Sequence, residues 1–294
     1  MLWKLSGIQV APEVIIPLFS NGNGITNTLL CTWLSIIIII AIFYFGTRRR
    51  DLLPRGMQNF LEMVIESLLG LVESVAGKGN AKRFFPLIAT FFIFILVCNL
   101  WDIVPGVDTI GWVNLTVINT KHLGQPGGVF LVGEQSAAVI PWLRPPTTDL
   151  NLNFAMALIS VIVTQIFGFI ILGPKLHLSR FFNFSSPLLF YVGILELVSE
   201  LARIISLSFR LFGNIFAGGI VLAIFALLLP VIGDVIFIPF EIFVAFIQAF
   251  IFSLLTLVFM QITVSSHDEH EPRTEREAHE EFAQNEEKIA EVTH

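Results

Sequence analysis

Charge is what this sequence has least of. Only 14% of its 294 residues are Asp, Glu, Lys or Arg, against 55% apolar, and mean hydropathy is +0.80. Soluble domains keep about a quarter of their residues charged, so a water-facing globule is excluded. Cysteine is scarce too. Cys31 and Cys98 both sit inside apolar runs, which argues against a disulfide framework and leaves the redox compartment unread. No GxxxxGK[ST] occurs, so no P-loop binds a nucleotide here. His267, His270 and His279 are loosely spaced among solvated neighbours and do not make a metal site. No cofactor site is indicated. Net charge is −6, and residues 267–294 alone hold ten acidic against three basic residues. The rest is close to neutral, and nothing points to nucleic acid. Residues 1–28 lack a charged n-region, a following apolar core and a small-residue cleavage site, so they do not read as a signal peptide.

What is present is a series of long apolar runs. The first span is 29–46, with Arg48, Arg49 and Arg50 directly after it. The positive-inside rule puts that end in the cytoplasm and residues 1–28 outside. Residues 56–77 are amphipathic: Phe60, Leu61, Val64, Leu68, Leu71, Val72 and Val75 share one helical face, opposite Asn59, Glu62, Glu66, Gly70 and Glu73. Pro54 precedes this pattern and Gly77 ends it, which predicts a helix lying in the cytoplasmic interface. The second span, 84–101, runs outwards to Asn99, Asp102 and Pro105. Residues 102–149 form a Gly- and Pro-rich external loop with room for a short hairpin. The third span, 150–172, returns to a second basic inner loop with Lys175, His177 and Arg180. Two further runs follow, 187–229 and 235–264, turned by Pro230 and Gly233 with Asp234 on the outer side. A continuous helix over the first would be about 64 Å long against a hydrocarbon core of about 30 Å. It must tilt steeply or break. Residues 265–294 read as an acidic cytoplasmic tail. The expected fold is an all-α integral membrane protein, one membrane domain over 28–265, with five spans and one interfacial helix.

Arg210 lies in the middle of the fourth apolar run. A guanidinium stays charged in proteins, and at the centre of a spanning helix it costs roughly 2.5–3.5 kcal/mol on insertion scales. At about 100° per residue, Glu196, Ser199, Arg203, Ser206, Arg210 and Asn214 fall within an arc of about 80°. Glu200 stands just beside them. Glu200 and Arg203, three apart, can instead neutralise each other. Arg210 has no acid three or four residues away, so its partner must come from another helix or another chain. On the last helix Asp234, Glu241 and Gln248 recur every seven residues with about 20° of drift per heptad. A polar stripe therefore exists on both members of a helical hairpin, approaching mid-membrane from opposite sides. Gly213, Ala217, Gly218 and Gly219 allow a neighbouring helix to come close. A stand-alone secondary transporter would show inverted repeats and a site closed by this chain alone, and no such symmetry is visible. A purely structural scaffold explains the small residues but not an arginine at mid-depth.

SLSFRLFGNIFAG, Ser206–Gly218, resembles the signature of subunit a of the F-type ATP synthase, the membrane stator that faces a rotating ring. Pro86–Pro105, Pro145–Asn151 and Gln248–Thr256 extend the resemblance over roughly residues 50–265. It implies that Arg210 is the arginine needed for coupling and faces the carboxylate of each passing ring subunit. Asn214 and Gln248 match polar positions beside it. Glu196, Ser199, Arg203 and Ser206 match the cytoplasmic path, and Asp102 and Asp149 the outer mouth. Some members carry an ionisable group where this chain has Gly219, which leaves Glu241 as the outer relay at that level. The resemblance further implies two offset half-channels and steeply tilted final helices. Its implied partners are the ring subunits, b-type subunits of a peripheral stalk, the whole Fo–F1 complex and the lipid bilayer. It places the chain in a bacterial plasma (inner) membrane, N-terminus outside and C-terminus cytoplasmic.

Overall fold

A computed structural model describes residues 12, 14–17, 24–48, 56–104, 107, 111–113, 139–174, 177, 187–228 and 232–265. Arg49, Arg50, Lys175, Arg180, the side chain of Asp234, the acidic tail from 266 and most of the 1–28 and 102–149 segments lie outside the described residues.

Among the described residues, five helices are long and apolar enough to cross a membrane. Helix α1 spans Asn27–Thr47; Thr26 caps it, its hydroxyl accepting from the Leu29 amide. Helix α2 spans Met57–Leu100 but changes direction at Gly77, whose φ of +70° suits only a residue without a Cβ. The amphipathic segment and the second span are therefore two arms joined at one residue. Residues 78–83 continue the second arm as helix, so that this arm starts ahead of residue 84. Helix α3 spans Leu150–Leu172 and ends at Gly173, φ +83°. Helix α4 spans Pro187–Leu228 and helix α5 Ile232–Ser265. Strand β1 (Val14–Pro17) pairs with β2 (Gly24–Thr26), and β3 (Gly111–Val113) with β4 (Val139–Pro141), both antiparallel.

Of the two solutions for the long run 187–229, the chain takes the unbroken one. The 32-residue apolar part of α4, Phe190–Val221, is about 48 Å long at 1.5 Å per residue, so a core of about 30 Å holds it only at strong tilt.

Apolarity does not separate the inside from the outside here. Ile37, Ile40, Ile170, Leu188 and Val235 are all more than 60% exposed, whereas Ser35, Asn153, Ser160, Thr164, Ser208 and Thr256 are buried. Lipid solvates the first group, while the second must find hydrogen bonds inside the protein. Ser160 meets Thr256 at 2.9 Å between α3 and α5, and the Ser208 hydroxyl reaches the Asn153 carbonyl of α3 at 3.4 Å. Each such bond contributes about 0.6 kcal/mol in a membrane protein. They set helix register more than stability. Between α2 and α5 the packing is aromatic: Phe91 on Phe252 and Phe92 on Phe246, edge to face at 5.4 and 5.6 Å. With α2, α3 and α5 packed together, α4 lies on one side, against α3 and α5.

Candidate functional site

Two contacts fix how α4 runs beside α5. A Cβ on Gly218 would lie 3.0 Å from Oε1 of Glu241. The Arg203 guanidinium lies 3.7 Å from the centre of the Phe259 ring. The helices are thus antiparallel, and interpolation between the contacts brings Gln248 to within about a turn of Arg210.

Arg210 and Ser206 are exposed, as are Gly213, Ala217 and Gly219 on the same helix. Among the described residues Arg210 makes no ion pair or hydrogen bond. Around Gly213 and Gly219 nothing lies within 4 Å of where a Cβ would stand. A permanent cation thus stands on an open strip of small residues flanked by exposed Ile205 and Phe209.

Beyond Arg210, toward the α4–α5 turn, a cavity of about 180 Å³ opens. Its polar lining is Asn99 and Asp102 from the end of α2 and the short turn after it, Asn214 from α4, and Glu241 from α5. Asn99 is 1% exposed, and neither amide atom of its side chain has a partner among the described residues. Glu241 Oε2 and Gln248 Oε1 are also buried without a hydrogen bond among the described residues. The cavity is largely apolar in its lining, with Asn99, Asp102, Asn214 and Glu241 as its polar groups, and it has room for several waters to supply the bonds that Asn99 and Glu241 lack. Sequence reading noticed Asn99 only as the end of a span. Its position one turn before Asp102 was the available signal, since residues three apart share a helical face.

Toward the other end of α4 a second polar cluster forms. Arg203 Nη1 donates to both Glu200 oxygens, at 2.9 and 2.8 Å. The local pair weighed from the sequence is therefore made, and Arg203 is withdrawn from the stripe as a bare charge. Gln165 of α3 hydrogen-bonds Glu200, and Glu196 lies near enough to act on it electrostatically. Gln165 Oε1 also meets His177 Nε2 at 2.7 Å. His177, expected in a solvated basic loop, is 1% exposed and packs on Phe169. It fits because Gly168 has no Cβ: one there would stand 2.5 Å from the imidazole. Ser199 is exposed and Glu196 half-buried, both on this half of α4.

Asp149 does not line the cavity. It caps α3 by accepting from the Asn151 amide at 2.9 Å and takes a bond from the Thr28 hydroxyl at 3.3 Å. Asp149→Ala is expected to lower stability by about 1 kcal/mol, the usual loss for a helix cap. Asp149→Asn, which still caps, should leave both the melting temperature and proton flux near their starting values. Thermal unfolding in detergent and flux in vesicles check this. A flux lost in the Asn variant at unchanged stability would restore Asp149 to the ion path.

Comparison with known proteins gives the family. The sequence profile of the family described as ATP synthase A chain matches residues 29–261. ATP synthase subunit a of Moorella thermoacetica is 33% identical over 243 residues, covering 83% of this chain and 93% of that one. ATP synthase subunit a 2 of Syntrophotalea carbinolica is 35% identical over 78% of this chain and 82% of its own length. The Geobacter sulfurreducens subunit a is 31% identical over 89% and 97%. With five apolar helices, an exposed arginine on the fourth and a profile match over most of its length, the chain belongs to the ATP synthase A chain family of multi-pass, proton-translocating membrane subunits.

Proposed function

We propose that the chain is the stator of the Fo sector and carries protons through two offset half-channels to and from carboxylates on a rotating ring. The outer path comprises the cavity of Asn99, Asp102, Asn214 and Glu241. The inner path follows Ser206, Ser199 and Glu196 along α4. Between them Arg210 favours the ionised form of each ring carboxylate that passes, and its fixed positive charge opposes proton leakage from one path to the other. A proton taken up from the outer path rides the ring through nearly a full turn before it leaves by the inner one. Each crossing yields roughly 2.3 kcal/mol per 100 mV of membrane potential. ATP is made elsewhere in the complex, by soluble subunits, since this chain has no P-loop. The chain is oriented N-terminus out in a bacterial plasma membrane, and b-type stalk subunits hold it against the ring.

The observation that carries this reading is the exposed Arg210, without an ion pair among the described residues, on a strip of small residues beside the cavity of Asn99, Asp102, Asn214 and Glu241. A guanidinium in a bilayer needs a counter-ion, and the strip admits another helix to supply one. Ser206→Cys, one turn from Arg210 on the same open face, tests it. In membranes, a short cross-linker from that position is expected to capture a small hairpin protein bearing a mid-membrane carboxylate. Capture of lipid alone, with that protein present in the complex, would remove the ring from this face.

A further inference from the structure

We propose that Glu200 is a positioning residue of the inner proton path: by cancelling Arg203 it leaves Arg210 as the sole net positive charge on this face of α4. The inference rests on the half-channel reading above and adds to it a requirement that the stripe alone does not express.

Arg203 and Arg210 are seven residues apart, on nearly one face and about 10 Å from each other along the helix. Two bare guanidiniums so placed would act on the same mobile carboxylate. The one nearer the cytoplasm would also stand in the path of every proton arriving from that side. The structure removes the conflict at Arg203. Its side chain and that of Glu200 are only 14% and 13% exposed, so water does little to screen either charge. Nη1 bonds both carboxylate oxygens, and Phe259 of α5 covers the flat face of the guanidinium. An i,i+3 pair on an open helix surface is a weak device, but this one is held from a second helix. His177 Nε2 meets Gln165 Oε1, which can only accept, so the proton is on Nε2. That leaves the Gln165 amide nitrogen to donate to Glu200. Donors thus converge on Glu200 without conflict: His177 donates to Gln165, Gln165 to Glu200, and Arg203, under Phe259 of α5, to Glu200 as well.

Among the described residues, the charged and titratable groups about Glu200 are Glu196 and Arg203 on its own helix and His177 after α3; from α5 the cluster receives Phe259. Removing the Glu200 charge takes one negative charge from the cluster around Arg203. The inner path becomes more positive by one charge. At about 10 Å and an effective dielectric near 20, one charge shifts the protonation of a neighbouring carboxylate by roughly one pH unit. A proton coming from the cytoplasm would meet that barrier.

The test uses the assembled complex in inverted vesicles, with assembly checked by subunit content. Glu200→Gln keeps the shape and the hydrogen bond to Arg203 but not the charge. It is expected to slow ATP-driven proton pumping roughly tenfold near neutral pH and to move the pH profile, measured at the cytoplasmic face, about one unit to the acid side. The double variant Glu200→Gln, Arg203→Gln should recover most of the rate and the original profile. A merely structural Glu200 predicts no acid shift and no rescue. Unchanged pumping in the single variant, or a loss that the double variant fails to reverse, overturns the inference while leaving the half-channels standing. Coupled pumping by Arg210→Ala in the same vesicles would bring down the underlying reading, and this inference with it.

Discussion

Arg210→Ala is expected to abolish ATP-coupled proton movement while the complex still assembles. Within this chain the side chain is exposed and makes no ion pair or hydrogen bond among the described residues. Truncating it therefore breaks no internal pair and opens no cavity, and the fold has little to lose. The loss falls on whatever the guanidinium meets outside the chain. A carboxylate at about 4 Å in a setting of effective dielectric near 20 is stabilised by about 4 kcal/mol, close to a thousandfold in ionisation. Without that term a ring carboxylate crossing mid-membrane has no reason to give up its proton at the right place. Driven ATP synthesis should fall by at least a hundredfold, and the barrier between the two paths should weaken, so that passive proton leak rises. Arg210→Lys keeps the charge but not the planar fork, and should restore the block to leak better than it restores synthesis. The measurement is acid–base-driven synthesis and passive leak in the same vesicles. Synthesis retained by the alanine variant would separate this arginine from coupling altogether.

That expectation was already legible in the sequence, and the reason is periodicity. A charge that cannot be neutralised, placed in an apolar run and repeated on one face with Ser206 and Asn214, constrains the chain at short range. The order of the spans was legible for the same reason. What the sequence did not reveal depends on contacts between distant segments. Gln165 is one of five polar residues in the otherwise apolar 23-residue α3, with Asn151, Asn153, Ser160 and Thr164, and nothing local says that it bridges His177 and Glu200. His177 looks like one basic residue among three until Gly168 provides its seat. Glu200 and Arg203 lay open to two readings because a helical wheel cannot tell an internal pair from two path residues. Asp149 looked like an acid at a channel mouth, and its bonds to Thr28 and the Asn151 amide emerge only once α1 and α3 are side by side. Gly77 was read as a stop for the amphipathic pattern, and the sequence did not say that the next helix begins at once. A single residue with positive φ is enough to turn the chain there.

Glu241→Gln is expected to slow proton flux between the outer face and the ring by about a hundredfold, the lower end of the range for losing a positioned acid–base group. Of the two acids of α5, Asp234 and Glu241, Glu241 is the one whose side chain is described, and it lies in the cavity wall with Asn99, Asp102 and Asn214. The amide keeps the side chain's size and its fit against Gly218, where the carboxylate stands 3.0 Å from a would-be Cβ. Packing is therefore conserved, and only the ability to take up and release a proton is lost. A second substitution separates proton exchange from access. Gly218→Val would put methyl groups where Glu241 now sits, forcing the carboxylate aside and filling part of a cavity of about 180 Å³. It should slow flux as strongly as the glutamine variant, even though Glu241 is still ionisable. Glu241→Asp, one methylene shorter, should fall between the parent and the glutamine variant, because it keeps the exchangeable proton but draws it back from the cavity. Flux driven by an imposed potential in vesicles, compared across the three variants at equal subunit content, gives the ranking. Undiminished flux in Glu241→Gln would take this carboxylate out of the path, and the outer relay would then fall to Asp102 with the waters held between Asn99 and Asn214.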